Sequence, residues 1–295
     1  MTQAQKLAAG SIVLGIGVMG LKGAAWGLTG SAALFSDAAE SLVNVAAAVV
    51  ALLALRWAAK PADANHPYGH DKAEFFAAVV EGVLIMLAAV LILDHAWQAY
   101  LHPEPLTAPI LGMALNALAT AFNGAWAWVL TTRGKTLRST ALRADGKHLM
   151  SDVVTSFGVL VGVGLVFATG LAWLDPLLAA ATAFYILYAG FKVVGESVGG
   201  LMDAAPAEDV IAQVHRLVAT HAAGALEAHD LRMRHAGRLT FLDFHLVVPG
   251  AMTVLDAHTI CDRIEAALKA AVPGLMITIH VEPEGKAKHQ GVILR

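Results

Sequence analysis

The sequence predicts an all-α membrane domain of six transmembrane helices, followed by a small cytosolic α+β domain with a ferredoxin-like αββαβ pattern. Three observations predict it. Six apolar runs, 7–28, 32–55, 75–100, 109–131, 139–168 and 173–198, are long enough to cross a hydrocarbon core, which takes about 20 helical residues. Charged residues make up 15% of the chain against 57% hydrophobic, where soluble domains are about a quarter charged. Past residue 200 the pattern becomes that of a soluble fold. The expected divisions are 1–203 for the membrane domain, 204–283 for the cytosolic domain and 284–295 for a flexible tail.

The first run does not read as a cleaved signal peptide, because it is long, carries Lys22 and lacks a clear small-residue cleavage site. Gly15, Gly20, Gly23 and Gly27 within it suit close helix packing. Orientation follows from the basic residues. Lys6, Arg56, Lys60, Lys72, Arg133, Lys135, Arg138, Arg143 and Lys192 gather at one set of segment ends, while the turns near 29–31, 102–107 and 170–175 hold no Lys or Arg. Both termini are therefore expected in the cytosol, which for a bacterial protein means an integral inner (plasma) membrane protein. In the soluble part, Pro206 opens an amphipathic helix reaching about residue 222. Strands at 227–235 and 240–248 meet at Ala236-Gly237, and a helix at 253–271 leads to a last strand at 275–282.

Net charge is only −3, so nucleic acid is not an implied partner. Cys261 is the sole cysteine, which excludes an intrachain disulfide and a four-cysteine zinc site. Thirteen histidines are left as the abundant soft-to-borderline ligands.

Those histidines fall into patterns. His148 and Asp152 are four residues apart in the fifth run, so a helix stacks them on one face. Asp37, Glu40 and Asn44 recur at helical spacing in the second run. Ionisable groups in a membrane segment cost on the order of 3 kcal/mol each on insertion scales and mark a pathway or a partner. At about 1.5 Å per residue, Glu40 lies roughly 14 Å in from the outer end of its helix, and His148 lies about as far in from the cytosolic end of its own. The two pairs can therefore meet near mid-membrane. Glu40, Asn44, His148 and Asp152 together offer a four-coordinate O, O, N, O cage, suited to Zn²⁺, Fe²⁺, Co²⁺, Cd²⁺ or Mn²⁺ rather than to a cuprous ion.

A second cluster lies in the loop after the second run, where Asp63, His66 and His70 flank a Pro67-Tyr68-Gly69 turn and could converge on one ion; a solvated polar turn is the alternative. In the soluble part, Leu242, Phe244, Leu246 and Val248 form one strand face, which places Asp243 and His245 on the other. Ile277, Ile279 and Val281 likewise put His280 and Glu282 together. Unoccupied surface histidines are the alternative there.

Taken together, SDAAESLVN, DANHPYGHDKAE, ADGKHLMSD and the αββαβ end resemble the cation diffusion facilitators over nearly the whole chain. The resemblance implies a homodimer in the lipid bilayer that exports a divalent metal ion from the cytosol in exchange for protons, by alternating access. Zn²⁺ or Fe²⁺ would be the leading substrates, the metal also serving as a regulatory ligand. The family's transport site maps onto Glu40, Asn44, His148 and Asp152. The family usually has His or Asp followed by Asp in the second helix, and this chain has Glu followed by Asn. Two carboxylates still balance a divalent ion, and Glu40 can chelate through both oxygens. Asp63, His66 and His70 map onto the family's loop site. His229, His245, His258, His280 and Glu282 map onto its cytosolic regulatory site, although Leu231 and Met233, the alternation partners of His229, are apolar. A membrane metal sensor or scaffold that binds without transporting is the rival reading. No HExxH arrangement points to a metalloenzyme.

Overall fold

The computed structural model describes residues 3–102, 106–137, 139–288 and 292–293. Arg138, counted above among the basic residues, lies outside them. The chain divides into two compact units, 1–198 and 199–295.

The first unit holds six helices of 27 to 30 residues: α1 (Gln3–Thr29), α2 (Ala32–Ala58), α3 (Ala73–Leu101), α4 (Pro109–Thr136), α5 (Thr140–Thr169) and α6 (Leu174–Leu201), the last running on into the second unit. All six are long and apolar enough to cross a membrane. Their outward faces carry Leu42, Leu53, Val90, Phe157 and Tyr188, all well exposed. Helices are one of the two structures that satisfy every backbone group inside lipid, and this apolar band is the surface such helices offer it. Between helices, small residues allow the closest backbone approaches. A Cβ added to Gly146 in α5 would lie 2.7 Å from Thr131 Oγ1 and 3.1 Å from the Ala127 carbonyl of α4. One added to Gly82 in α3 would meet Val194 of α6 at 2.6 Å. Backbones pack that closely only where the side chain is absent.

Helix ends are tied across the bundle. Ser31 caps α2, accepting from Leu34 N–H at 3.1 Å and donating to Asp175 of α6 at 2.6 Å. The other Asp175 oxygen takes the Ala32 N–H at 2.5 Å. An anion at a helix N-terminus satisfies orphan donors and complements the dipole. The chain leaves α1 and α5 through Gly30 and Gly170, whose positive φ values of 69° and 72° are easy only for glycine.

The second unit has α7 (Glu208–His221), β1 (Glu227–Ala236), β2 (Leu239–Val248), α8 (Val254–Ala271) and β3 (Leu275–Pro283). This is the αββαβ order expected. A fourth strand, β4 (Val292–Ile293), pairs with β1, giving the sheet order β3-β2-β1-β4. With a short 3₁₀ turn at Glu284–Lys286, part of the stretch read as a flexible tail thus has regular structure. β1 and β2 form an antiparallel hairpin, and β3 lies parallel to β2 after the α8 crossover. Val214 and Val218 of α7 with Ile260, Ile264 and Leu268 of α8 bury Leu242, Phe244 and Leu246 on one sheet face. Cys261 belongs to that core, where burial pushes its thiol up, so it is a packed thiol rather than a reactive one.

Candidate metal centre

α2 and α5 bring the four predicted intramembrane residues together. Asn44 is the pivot of the group. Its amide donates to Asp152 Oδ2, and its carbonyl oxygen lies 2.7 Å from His148 Nε2. His148 Nε2 is 4.0 Å from Asp152 Oδ1, an oxygen that is buried without a hydrogen-bond partner. Glu40 is also buried, and its Oε2 accepts from Thr155 at 3.2 Å. A cavity of about 20 Å³ adjoins the group, lined by Glu40, Asn44, His148 and Asp152 with Tyr185 and Ile186 of α6. That is room for one or two water-sized occupants. Two carboxylates, an imidazole and an amide carbonyl around so small a space form a donor set for one divalent cation, and the orphaned Asp152 oxygen is a ready ligand atom.

Three further elements of this centre escaped the sequence reading. Lys22 of α1 is fully buried, with its Nζ 2.6 Å from Asp37 Oδ1 and 2.8 Å from Ser156 Oγ. Asp145, three residues before His148, accepts from Ser11 of α1 at 2.9 Å, and Trp126 of α4 donates to the same serine at 2.8 Å. Glu81 of α3, unassigned from sequence, interacts electrostatically with His148 and Asp152. Lys22 and Glu81 show in the sequence only as charges within apolar runs, and the partners of all three depend on which helices become neighbours.

Asp63, His66 and His70 come together in the loop. His66 Nδ1 and His70 Nε2 lie 3.2 and 3.5 Å from the two Asp63 oxygens, and the rings are 4.3 Å apart. Ligand atoms of all three are within 4.8 Å of one another. The His66 backbone N–H, 2.7 Å away, holds the Asp63 carboxyl below the usual carboxylate range. It is therefore ionised at neutral pH.

On the sheet face opposite the hydrophobic core, His229, His245, His280 and Glu282 come together. Glu282 lies 3.4 Å from His229 Nε2, 3.4 Å from His245 Nδ1 and 3.7 Å from His280 Nε2. The apolar alternation around His229 is explained by a bulge. β1 shifts register between His229 and Arg232, with Asp230 at φ 52°, so His229 pairs with His245 while Met233 pairs with core-facing Leu242. The extra residue turns the strand over, and both neighbours keep their proper faces. His229 is buried, and neither ring nitrogen has a well-formed hydrogen bond among the described residues, although Glu227 Oε1 lies 3.1 Å from Nδ1. Lone pairs in that condition suit a metal. Asp230 completes a possible triad with His229 and His245. Lys288, 2.5 Å away, holds the Asp230 carboxyl below its usual range. His258 is not brought to this cluster within one protomer: it sits exposed on α8, 3.6 Å from Asp262.

Six apolar helices of membrane-spanning length, a buried set of N and O donors among them and an α+β unit define the class, an integral membrane cation transporter. The comparisons give the family. Residues 9–202 match the cation efflux transmembrane domain and 206–284 the cation efflux protein cytoplasmic domain. The chain belongs to the cation efflux family, the cation diffusion facilitators, and is a metal-cation transporter rather than an enzyme. It is similar to an uncharacterised transporter of Synechocystis, at 44% identity over 92% of this chain and 88% of that one. It is 32% identical to the cation-efflux pump FieF of Yersinia pestis over 88% of this chain and 86% of the pump. A solved structure of the zinc transporter CzrB in its zinc form overlaps 28% of this chain and 96% of its own, with 46% identity and a TM-score of 0.28.

Proposed function

We propose that the chain exports divalent transition-metal ions from the cytosol in exchange for protons, by alternating access in a homodimer with cytosolic termini in an inner membrane. The observation that carries the reading is the Asn44 bridge. Its amide and carbonyl hold Asp152 and His148 together, beside the buried Glu40 carboxyl. The four donors line one small cavity, so a cation there would find its ligands already gathered.

Proton coupling follows from the donor set. Metal requires a neutral imidazole and ionised carboxylates, so protons and metal compete for the same atoms. Exchange results when the site faces each side in turn. Zn²⁺, Fe²⁺, Cd²⁺, Co²⁺ and Mn²⁺ all fit a mixed N/O site, with Zn²⁺ and Fe²⁺ foremost. Substituting Asn44 for a carboxylate limits the charge to two, and Glu40 reaches far enough to chelate larger ions. The loop cluster and the cytosolic cluster are proposed as accessory sites, the latter regulatory and drawing two cytosolic domains together when filled.

Metal uptake by everted vesicles containing the chain tests the reading. Uptake that is saturable in metal and driven by an imposed proton gradient supports it. Binding without flux would make the chain a sensor.

A further inference from the structure

Lys22 is fully buried in a helix that crosses the membrane, and the metal site as described above makes no use of it. A cation there is costly unless it is paired. Its partners come from two other helices: Asp37 Oδ1 of α2 at 2.6 Å and Ser156 Oγ of α5 at 2.8 Å, with Ser156 in turn donating to Asp37 Oδ1 at 2.6 Å. Asp37 and Ser156 each lie close to a turn outward of a candidate ligand, Glu40 on α2 and Asp152 on α5. Lys22 also interacts electrostatically with Glu40 and Asp152. The second Asp37 oxygen is buried with no hydrogen-bond partner.

The charge count is the point of the arrangement. Asp37, Glu40 and Asp152 are three buried carboxylates, with Asp145 and Glu81 further round the same centre, so the region is rich in negative charge. We propose that Lys22 is a fixed counter-charge that neutralises Asp37, lowering the negative charge around the transport site by one and keeping Asp37 out of the metal's coordination. The inference rests on the transport reading above and deepens it, making Lys22 a positioning and specificity-determining residue. Were Lys22 lost, the free Asp37 oxygen would be a third anionic donor one turn from Glu40. Cargo would then bind more tightly and leave more slowly.

The prediction has opposite signs for the two partners, which a purely structural role cannot give. A unit charge about 10 Å from a divalent ion, in a medium of effective dielectric near 20, changes affinity about 100-fold or more. In proteoliposomes with Zn²⁺ as the probe, Lys22→Met should lower KM about 100-fold and reduce turnover. Asp37→Asn should raise KM about 100-fold. The double variant should return KM to within about threefold of wild type, and Lys22→Arg should stay near wild type throughout. Should Lys22→Met aggregate on size exclusion, Asp37→Asn alone still decides, because an unchanged or lowered KM overturns the inference. So do two single variants that shift KM in the same direction, or a double variant that adds their losses. Absence of saturable Zn²⁺ flux in the wild type would instead overturn the transport reading on which the inference stands.

Discussion

Asp152→Asn isolates the electrostatic part of cargo binding, because the amide has nearly the shape of the carboxylate. Asp152 has no exposed surface, accepts from Asn44, and leaves Oδ1 unpartnered 4.0 Å from His148 Nε2. In the proposed site it would balance a divalent ion together with Glu40; with Asn in its place one positive charge would remain uncompensated in a buried site. Removing one partner of a buried charge pair costs about 3–5 kcal/mol, or roughly 10²–10⁴ in affinity. The variant should therefore show a rise of at least about 100-fold in KM for Zn²⁺ and Cd²⁺ in proteoliposomes, or no saturable flux at all. Packing is almost unchanged, so its melting temperature should stay within a few degrees of wild type. A KM within about threefold of wild type, in a folded variant, would refute the assignment of Asp152 as a cargo ligand.

Other consequences are as direct. His148→Ala should abolish transport while leaving folding and dimerisation intact, as checked by flux and size exclusion. His245→Ala with His280→Ala should weaken metal-induced closure of the cytosolic domains, read by interdomain fluorescence, while the membrane site still binds Cd²⁺; loss of all Cd²⁺ binding would contradict separate sites. Asn44→Asp adds a third carboxylate beside Asp152, so the rank order of transported metals should change in a competition assay. Gly82→Leu should destabilise the membrane unit by about 1–3 kcal/mol through overpacking, because an added Cβ already meets Val194 at 2.6 Å; thermal unfolding in detergent measures it.

Much of this was legible in the sequence, for identifiable reasons. Hydrophobic length gives the six helices outright, and i, i+4 spacing puts His148 above Asp152 and Glu40 near Asn44 before any tertiary contact is known. The loop triad is local enough to read from a turn. The limits are equally physical. Period-two alternation misjudges His229, because a bulge at Asp230 breaks the period without a clear mark in the sequence. Lys22 reads only as an awkward charge in an apolar run, since Asp37 and Ser156 lie 15 and 134 residues away. Asp145 depends in the same way on Ser11, reached across α1 and α5. Asp175 looks like an ordinary first-turn acid of α6, whereas its oxygens cap α2. The β4 strand is two residues long, and its place beside β1 is set by pairing rather than propensity.

The measurement that bears most directly on the account is metal uptake by proteoliposomes across Zn²⁺, Fe²⁺, Cd²⁺, Co²⁺ and Mn²⁺, with and without an imposed pH gradient. Wild type should take up at least one of these ions with saturation, faster when the gradient drives protons the opposite way, and acid on the side where metal enters should slow it, because protons and metal share His148, Asp152 and Glu40. Uptake of none of the five ions, or uptake indifferent to the gradient in a preparation that binds metal, would contradict proton-coupled export through this site.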